Sequence, residues 1–446
     1  MPVELFPYQV TGAQFLAKRD RAGLFDDMGV GKSAQAIHAL DLAGLKRGLV
    51  VCPAAVREVW AGEFKKFAQR PRRIIKGKDI QDLNLWLRGK VDVLLLSYEM
   101  AAAWAKRMEG DLFDFLVLDE AHYLKAKSAQ RTRALLGSEC DGAYGLARWA
   151  THTWFLTGTP APNDAADIWS LMRFCRATPL THRIFTDRYF RKRVGTYSTS
   201  YVPRENMVPE FRQALSSFSL RRTKKEAGLQ LPPIWLTTTT VDGDTAEIRA
   251  LLRNHPGLEG AILEAVEKGG LSFLDAQHIA TLRRLVGEAK APAFVELLLE
   301  ELKDGLSKVV VMGLHIRAMD YIETGLRAHG VDLVRLDGST SERDRAKAVD
   351  RFQRDDSVRV FLGNIKAAGT GLTLTAAADI VMFESDWTPA GNAQALMRVH
   401  RIGQERSVRA RFISLANSID ERVAEAVARK TQNLIRVGAF TDEFAA

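Results

Sequence analysis

Short, continuous runs of apolar residues recur along the first part of the chain and alternate with stretches that have a helical pattern. The apolar runs lie at 48–52, 91–97, 115–118 and 153–156. The helical stretches between them include residues 32–42 and 56–68. Continuous apolar strands that alternate with helices are typical of a parallel sheet covered on both faces. The pattern therefore predicts a first α/β lobe.

The same pattern restarts in the second half of the chain. Its apolar runs lie at 308–312, 331–336, 358–362, 380–383 and 410–415, with helices predicted at 316–329 and 341–354. The intervening region, 168–282, has mainly helical spacing and loops rich in Arg, Lys and Pro. We therefore predict an α/β protein with an N-terminal lobe at 1–167, a helical insertion and linker at 168–290, and a C-terminal lobe at 291–446.

The charge balance and the cysteine count limit the kinds of partner and scaffold that this chain can have. Lys and Arg number 63 against 54 for Asp and Glu, which gives a net charge of +9. This excess favours a polyanionic partner, although an ordinary basic protein has the same balance. The 3 cysteines form no C-x-x-C pair, which argues against a zinc ribbon and a disulfide scaffold. The N-terminal residues have no signal-peptide pattern and no apolar run spans a bilayer, so we expect a cytoplasmic protein without membrane contact.

A glycine-rich segment opens the helix pattern at Lys32. Glycines let the backbone wrap around phosphate oxygens, and a helix N-terminus favours anions. The residues assigned to nucleotide binding are Asp27, Met28, Gly29, Val30, Gly31, Lys32 and Ser33. Lys32 is expected to reach the β- and γ-phosphates of ATP, and Ser33 to bind magnesium. Asp26 stands where the full Walker pattern has glycine, so the loop alone also fits a chance glycine-rich turn.

Two carboxylates follow the apolar strand 115–118. Asp119 and Glu120 begin the string DEAH, at the carboxyl end of a predicted parallel strand, where ligands of such sheets bind. Asp119 is expected to complete the magnesium shell, and Glu120 to orient and deprotonate the attacking water. An exposed acidic turn is the alternative. The next strand ends in Thr157-Gly158-Thr159-Pro160, which fits either a γ-phosphate sensor or a tight turn.

The second lobe carries a basic segment at 392–404 (NAQALMRVHRIGQ). On a helix, Gln394, Arg398 and Arg401 would share one face. An arginine that reaches a phosphoryl-transfer site from a neighbouring lobe stabilises charge on the transferring oxygens. We assign these three residues a catalytic role; a solvated basic helix is the alternative.

In their order, these segments resemble the Swi/Snf-type helicase-like ATPases of helicase superfamily two, over nearly the whole chain. The matching strings are DDMGVGKSAQAI (26–37), LVVCPAAVREVWAGEFKKF (49–67), DEAH (119–122), LTGTP (156–160), SLRRTKKE (219–226), LDGSTSERDRAKAVDRFQ (336–353), AAGTGLTLTAA (367–377) and QALMRVHRIGQ (394–404). The resemblance implies two RecA-like lobes of the P-loop NTPase type. It also implies that Gln9 reads adenine and that Asp26 is normal for this superfamily.

At a few positions this sequence differs from the residues common in the family, and these differences indicate one branch of it. Thr373 replaces a frequent Asn, Thr388 interrupts a usual Trp-Asn-Pro, and Met312 replaces a usual Phe. These features look closer to the HARP-like annealing branch. A compact motor of this type also fits a bacterial, phage or viral source, with the protein associated with the nucleoid.

The resemblance implies an ATP hydrolase that uses ATP and magnesium and moves on duplex or branched DNA, and we expect a monomer. We expect Gly371 to contact the nucleotide. The residues expected to contact the DNA are Arg221, Arg222, Lys224 and Lys366. Two alternatives stay open. One is a helicase that unwinds RNA or single strands, and the other is a scaffold that grips DNA in response to nucleotide.

Overall fold

The computed structural model describes residues 4–161, 165–194, 199–268, 276–368, 372–387 and 389–437. Contacts within the chain define two compact units. The first consists mainly of residues 4–193 and 201–230, and the second of residues 231–436. Gly371, expected at the nucleotide, lies outside the described residues.

The first unit is built on a parallel sheet. Its strands are β1 (Arg21–Leu24), β2 (Gly48–Val51), β3 (Ile74–Lys76), β4 (Val93–Leu96), β5 (Phe113–Asp119) and β6 (Ala150–Leu156), then β7 (Phe190–Val194), β8 (Thr199–Pro203) and β9 (Ser219–Leu220). Over the described residues, the main sheet has the order β3-β4-β2-β5-β6-β1-β9, and β7 pairs with β8 alone. Neighbouring strands in the main sheet run parallel. The loops after β5, β6 and β1 therefore emerge side by side at one edge.

Helices cover both faces of this sheet. They are α1 (Pro7–Ala17), α2 (Lys32–Leu42), α3 (Arg57–Phe67), α4 (Ile80–Leu87), α5 (Tyr98–Trp104), α6 (Gln130–Leu136), α7 (Trp169–Phe174), α8 (His182–Tyr189) and α9 (Val208–Phe218). Successive strand residues point to opposite faces, so Val50 packs in the cluster that holds Ala36 of α2. Val51 packs in a second cluster, with Trp86 of α4. Burial of both faces explains why these strands are continuous apolar runs.

The second unit repeats the architecture. Its strands are β10 (Ile234–Val241), β11 (Val309–Gly313), β12 (Asp332–Leu336), β13 (Val358–Asn364), β14 (Asp379–Met382) and β15 (Val408–Leu415). Among the described residues they are ordered β10-β15-β14-β11-β13-β12, and neighbours run parallel. The helices are α10 (Ala246–Asn254), α11 (Leu258–Lys268), α12 (Ala276–Lys303), α13 (Ile316–Ala328), α14 (Glu342–Arg354), α15 (Ile365–Ala368), α16 (Pro389–Leu396) and α17 (Ile419–Val437). Two parallel α/β units confirm the predicted fold class.

The structure distributes the expected helical insertion, 168–290, over both units. β9 pairs with β1 at the edge of the first sheet, and β10 pairs with β15 at the edge of the second. Helix α12 continues across the expected boundary at 290/291 and carries Pro292 in its interior. The apolar pattern did not predict β10, because most residues of this strand are partly or fully exposed. No helix in the described part of the chain is long and apolar enough to cross a membrane.

Candidate nucleotide site

The glycine-rich loop lies between β1 and α2, as predicted. Gly29 and Gly31 have φ angles of 83° and 79°, in the left-handed region that glycine tolerates best. Lys32 begins α2, and its Nζ donates to the carbonyl oxygens of Asp26 at 2.7 Å and Asp27 at 2.9 Å. Burial lowers the pKa of Lys32, whereas the charge of Glu120 and other nearby carboxylates raises it. The Lys32 ammonium is thus held at the loop by two backbone carbonyl oxygens. A phosphate oxygen can replace these acceptors.

Residues from α1 contact the back of this loop. The Tyr8 hydroxyl donates to the Val30 carbonyl at 2.9 Å, and Gln9 Nε2 donates to the same oxygen at 3.2 Å. Gln9 Oε1 in turn accepts from the Phe6 amide at 3.0 Å. The structure therefore places Gln9, expected to read adenine, directly against the phosphate loop.

Asp26 is the anchor of the loop. Its carboxylate is fully buried and accepts two hydrogen bonds from Arg222, Nε to Oδ1 at 3.1 Å and Nη2 to Oδ2 at 2.5 Å. Gln35 closes the network, since its Nε2 donates to Asp26 Oδ2 at 3.2 Å and its Oε1 accepts from Arg222 Nη2 at 2.8 Å. An added Cβ at Gly12 would lie 1.8 Å from Gln35 Oε1 and 2.7 Å from Arg222 Nη2. The carboxylate in the first Walker position thus ties the loop to a segment 196 residues later in the chain.

This network gives Arg222, which was expected at the DNA, several partners within the first unit. Besides its bonds to Asp26 and Gln35, Arg222 donates through Nη1 to the Tyr8 carbonyl at 2.5 Å, and only 13% of its side chain is exposed. A guanidinium has five N–H donors, and four of them are already used. Arg222 therefore positions the nucleotide loop, and sequence reasoning missed this because the partners are distant in the chain.

Asp119, the residue that ends β5, accepts hydrogen bonds from side chains of two helices, at its carboxylate and at its backbone carbonyl. Asp119 Oδ2 accepts from the Trp60 indole Nε1 at 2.8 Å, and Asp119 Oδ1 accepts from the Glu120 amide at 3.0 Å. The Tyr98 hydroxyl donates to the Asp119 carbonyl at 2.9 Å. Burial raises the pKa of Asp119 to about 6, and the charge of Glu120 adds to the shift, while the Trp60 hydrogen bond and Lys32 oppose it. Trp60 is a site residue that sequence reasoning missed, although it lies within the matched segment 49–67.

Glu120 lies where the chain turns sharply out of the sheet. Its φ of 53° is unusual for a residue with a side chain, and such conformations concentrate at functional sites. Glu120 Oε2 is 3.3 Å from His122 Nδ1. The same ring nitrogen lies 3.2 Å from Thr157 Oγ1 and 3.4 Å from Thr159 Oγ1. His122 therefore connects the candidate base to the loop that follows β6.

That loop also packs directly on the glycine-rich loop. An added Cβ at Gly158 would lie 2.7 Å from Met28 Cγ, 3.2 Å from the Met28 amide nitrogen and 3.4 Å from Lys32 Nζ. The segments after β1, β5 and β6 thus form one contact network in the first unit. Within the first unit these contacts bring Lys32, Asp119, Glu120 and Thr157 together.

Ser33 and Asp119 supply hard oxygen donors suited to magnesium. Mg²⁺ usually binds through one or two carboxylates plus substrate phosphates, and does not require a cage of protein ligands. The described residues contain no cluster of three or more His, Cys, Asp or Glu arranged for a metal ion. The donor set therefore fits magnesium delivered with a nucleotide.

In the second unit, the expected shared helix face of Gln394, Arg398 and Arg401 is wrong. Helix α16 ends at Leu396, so Arg398 and Arg401 lie in the turns that follow. Arg398 Nε donates back to the Gln394 carbonyl at 3.1 Å, and Arg401 Nη1 donates to the Leu372 carbonyl at 2.8 Å. Gln404 Nε2 also donates to the Ala377 carbonyl, at 2.7 Å. These side-chain bonds to backbone carbonyls shape a compact turn where a helix was expected.

The other residues expected at DNA have different environments. Arg221 Nη2 lies 4.0 Å from Asp27 Oδ1, and burial lowers the pKa of Arg221. The Lys224 amide donates to Asp27 Oδ2 at 3.1 Å, while its side chain is partly buried. Lys366 is exposed on α15. Lys366 is therefore the best placed of the four to meet a phosphate from solvent.

Comparison with known proteins decides the family. A model of the SNF2-related domain matches residues 8–281, more than half of the chain, and a helicase conserved C-terminal domain matches residues 289–403. The chain belongs to the SNF2-related family of helicase-like ATPases. The resemblance found in the sequence motifs is thereby confirmed, and nucleotide use follows from the family.

Relatives align along almost the whole chain. The SWI/SNF-related matrix-associated actin-dependent regulator of chromatin subfamily A-like protein 1 of Drosophila melanogaster is 29% identical over 447 residues, which cover 98% of this chain and 56% of the relative. The ISWI chromatin-remodeling complex ATPase ISW2 of Saccharomyces cerevisiae is 25% identical, with 96% and 40% covered. An ATP-dependent helicase of Mycoplasma pneumoniae is 28% identical, with 92% and 39% covered. The chain thus spans about half the length of such relatives.

Among solved structures, the Sulfolobus solfataricus SWI2/SNF2 ATPase core in complex with double-stranded DNA aligns with a TM-score of 0.45 and 21% identity, covering 100% of this chain and 95% of that one.

Proposed function

We propose that this SNF2-family protein is a DNA translocase that hydrolyses ATP while moving along duplex or branched DNA. One observation carries the proposal. Lys32, the carboxylates Asp119 and Glu120, and the Thr157–Thr159 loop occupy three neighbouring strand ends of one sheet. Gly158 lies next to Lys32, and His122 lies between Glu120 and Thr157. This is the arrangement that phosphoryl transfer needs: a cation for the phosphates, a metal-binding carboxylate and a base for water.

In this mechanism Lys32 exchanges its two carbonyl acceptors for β- and γ-phosphate oxygens. Ser33 and Asp119 would hold a magnesium ion, which would neutralise charge on the phosphates. Glu120 orients a water molecule and accepts its proton as the water oxygen bonds to the γ-phosphorus and the bond to the ADP oxygen breaks. ADP and phosphate are the products, and the proton leaves Glu120 to solvent.

A catalytic role is also proposed for three residues of the second unit. Arg401 supplies the positive charge that stabilises the transferring oxygens, and Gln394 and Arg398 assist it. A role at forks or in strand annealing is the form of translocation that the HARP-like sequence features favour.

DNA is the proposed track because the chain carries a net charge of +9 and belongs to a family whose relatives include ATPases of chromatin-remodelling complexes. Lys366, exposed on α15, is the first candidate for a phosphate contact. Such contacts release counterions, so the logarithm of the affinity should fall by about 0.9 per phosphate contact for each tenfold rise in salt.

The test is the rate of ATP hydrolysis by the full chain with duplex, forked and single-stranded DNA and with RNA, at equal nucleotide concentration. Duplex and forked DNA should raise turnover, and RNA should raise it poorly. Strand displacement on short duplexes without a tail should be absent. Turnover that is indifferent to every nucleic acid would exclude a translocase, and robust unwinding would favour a classical helicase.

A further inference from the structure

The indole of Trp60 is buried against the acidic end of β5. Its side chain lies on α3 with 1% of the residue exposed, and its Nε1 donates to Asp119 Oδ2 at 2.8 Å. An indole nitrogen only donates hydrogen bonds, so this contact fixes one defined carboxylate oxygen. The other oxygen accepts from the Glu120 amide at 3.0 Å. The carboxylate plane of Asp119 is therefore set by two donors from different parts of the unit.

Other buried tryptophans of the same unit satisfy their N–H groups differently. Trp86 donates to the Gly48 carbonyl at 3.2 Å, and Trp154 donates to the Arg19 carbonyl at 2.9 Å. Both acceptors are neutral backbone groups away from the strand ends that carry the nucleotide site. Burial of an indole requires an acceptor, which a backbone carbonyl provides. Trp60 instead donates to the carboxylate expected to bind metal, so its hydrogen bond does more than satisfy a buried donor.

We propose that Trp60 is a positioning residue for magnesium, which acts by fixing the orientation of the Asp119 carboxylate. The inference rests on the proposed function, because it takes Asp119 as the magnesium-binding carboxylate. With Oδ2 held by the indole and Oδ1 by the Glu120 amide, the remaining lone pairs keep one direction. Outer hydrogen-bond partners of metal ligands matter in this way, and their loss typically lowers metal affinity or activity about 10- to 100-fold.

The test replaces Trp60 by Phe, which keeps an aromatic ring next to Phe64 and removes the donor. Trp86→Phe is the matched control, since it also removes a buried indole N–H in the same unit. A fluorescent, non-hydrolysable ATP analogue is titrated into the full chain with magnesium or with EDTA. The ratio of the two affinities reports the coupling between magnesium and nucleotide without any turnover.

Wild type and Trp86→Phe should bind the analogue much more tightly with magnesium. Trp60→Phe should lose about 10-fold or more of that gain, while its affinity in EDTA stays unchanged. Full retention of the gain in Trp60→Phe would overturn the inference and leave the proposed function intact. A wild-type protein without any magnesium-dependent gain would overturn the proposed function itself.

A double-mutant cycle separates positioning from a packing defect. In an Asp119→Asn background the carboxylate is gone, so Trp60→Phe should cause no further loss of the magnesium-dependent gain. An equal loss in both backgrounds would mean that the ring acts through packing, and would overturn the inference. Melting of each variant without ligand confirms that the titrated protein is folded.

Discussion

Arg222 should be one of the most stabilising cations of the first unit. It forms a two-bond ion pair with Asp26, whose carboxylate is fully buried, and only 13% of the Arg222 side chain is exposed. Replacing Arg222 by Met would leave that carboxylate with Gln35 Nε2 at 3.2 Å as its remaining side-chain donor. Breaking a buried ion pair on one side costs about 3–5 kcal/mol. For a unit of this size, that loss corresponds to a fall in Tm of about 6–20 °C.

The assay is thermal unfolding of the full chain by calorimetry, which resolves the transitions of two units. Arg188→Met is the matched control, because Arg188 makes a similar two-bond pair with Glu210 in the same unit. Side chains of that pair are 48% and 43% exposed, so its loss should change the stability little. Replacing both Asp26 and Arg222 by apolar residues should recover much of the loss. If Arg222→Met and Arg188→Met had the same Tm, the proposed role of Arg222 in anchoring the glycine-rich loop would be refuted.

Three further predictions concern the second unit and the loop contacts. Glu384→Gln should cost about 2–3 kcal/mol at neutral pH, because the buried carboxylate accepts from the Leu314 amide at 2.7 Å, the His315 amide at 2.8 Å and His315 Nδ1 at 2.6 Å. Burial raises the pKa of Glu384, but the hydrogen bonds from His315 and Leu314 and the charge of His315 together lower it more. This stabilisation should therefore be complete above the ordinary pKa of 4.5 and disappear as the pH falls through the lowered pKa. Urea unfolding across pH checks it, and equal acid sensitivity of wild type and Glu384→Gln would be the contrary result. Arg401→Ala should lower kcat about 10³-fold and leave nucleotide affinity nearly unchanged, and steady-state kinetics that show no loss would remove Arg401 from catalysis. Gly158→Ala should weaken nucleotide binding, since the new Cβ would press on Met28 beside Lys32, and an unchanged Kd in equilibrium titration would contradict that packing.

Much of the fold was predictable because strands buried on both faces appear as uninterrupted apolar runs. β2, β4 and β5 are such runs, and helix α2 has the bounds that its pattern predicts, Lys32–Leu42. The edge strands were not predictable in the same way. β9 has only 2 residues, and β10 alternates partly buried and exposed positions with a run of threonines. Both strands lie at sheet edges and keep partly or fully exposed residues, so they lack the long apolar run that marks the central strands.

The candidate site was predictable where its residues follow one another in a motif. Lys32, Asp119 and Glu120 were found because each stands directly after a predicted strand or at the start of a predicted helix. The supporting contacts were not, because Trp60 lies 59 residues from its partner and Arg222 lies 196 residues from Asp26. The one available signal was Asp26 itself: a carboxylate next to a buried strand needs a cation.

Hydrolysis with and without the Glu120 carboxylate tests the central claim most directly. Glu120→Gln keeps the size of the side chain and removes the proton acceptor, so ATP turnover on duplex DNA should fall to background while the Kd for ATP with magnesium stays close to that of wild type. His122→Gln is the comparison, because it changes the neighbour at 3.3 Å and spares the carboxylate. Near-normal turnover by Glu120→Gln would contradict the site described for the first unit.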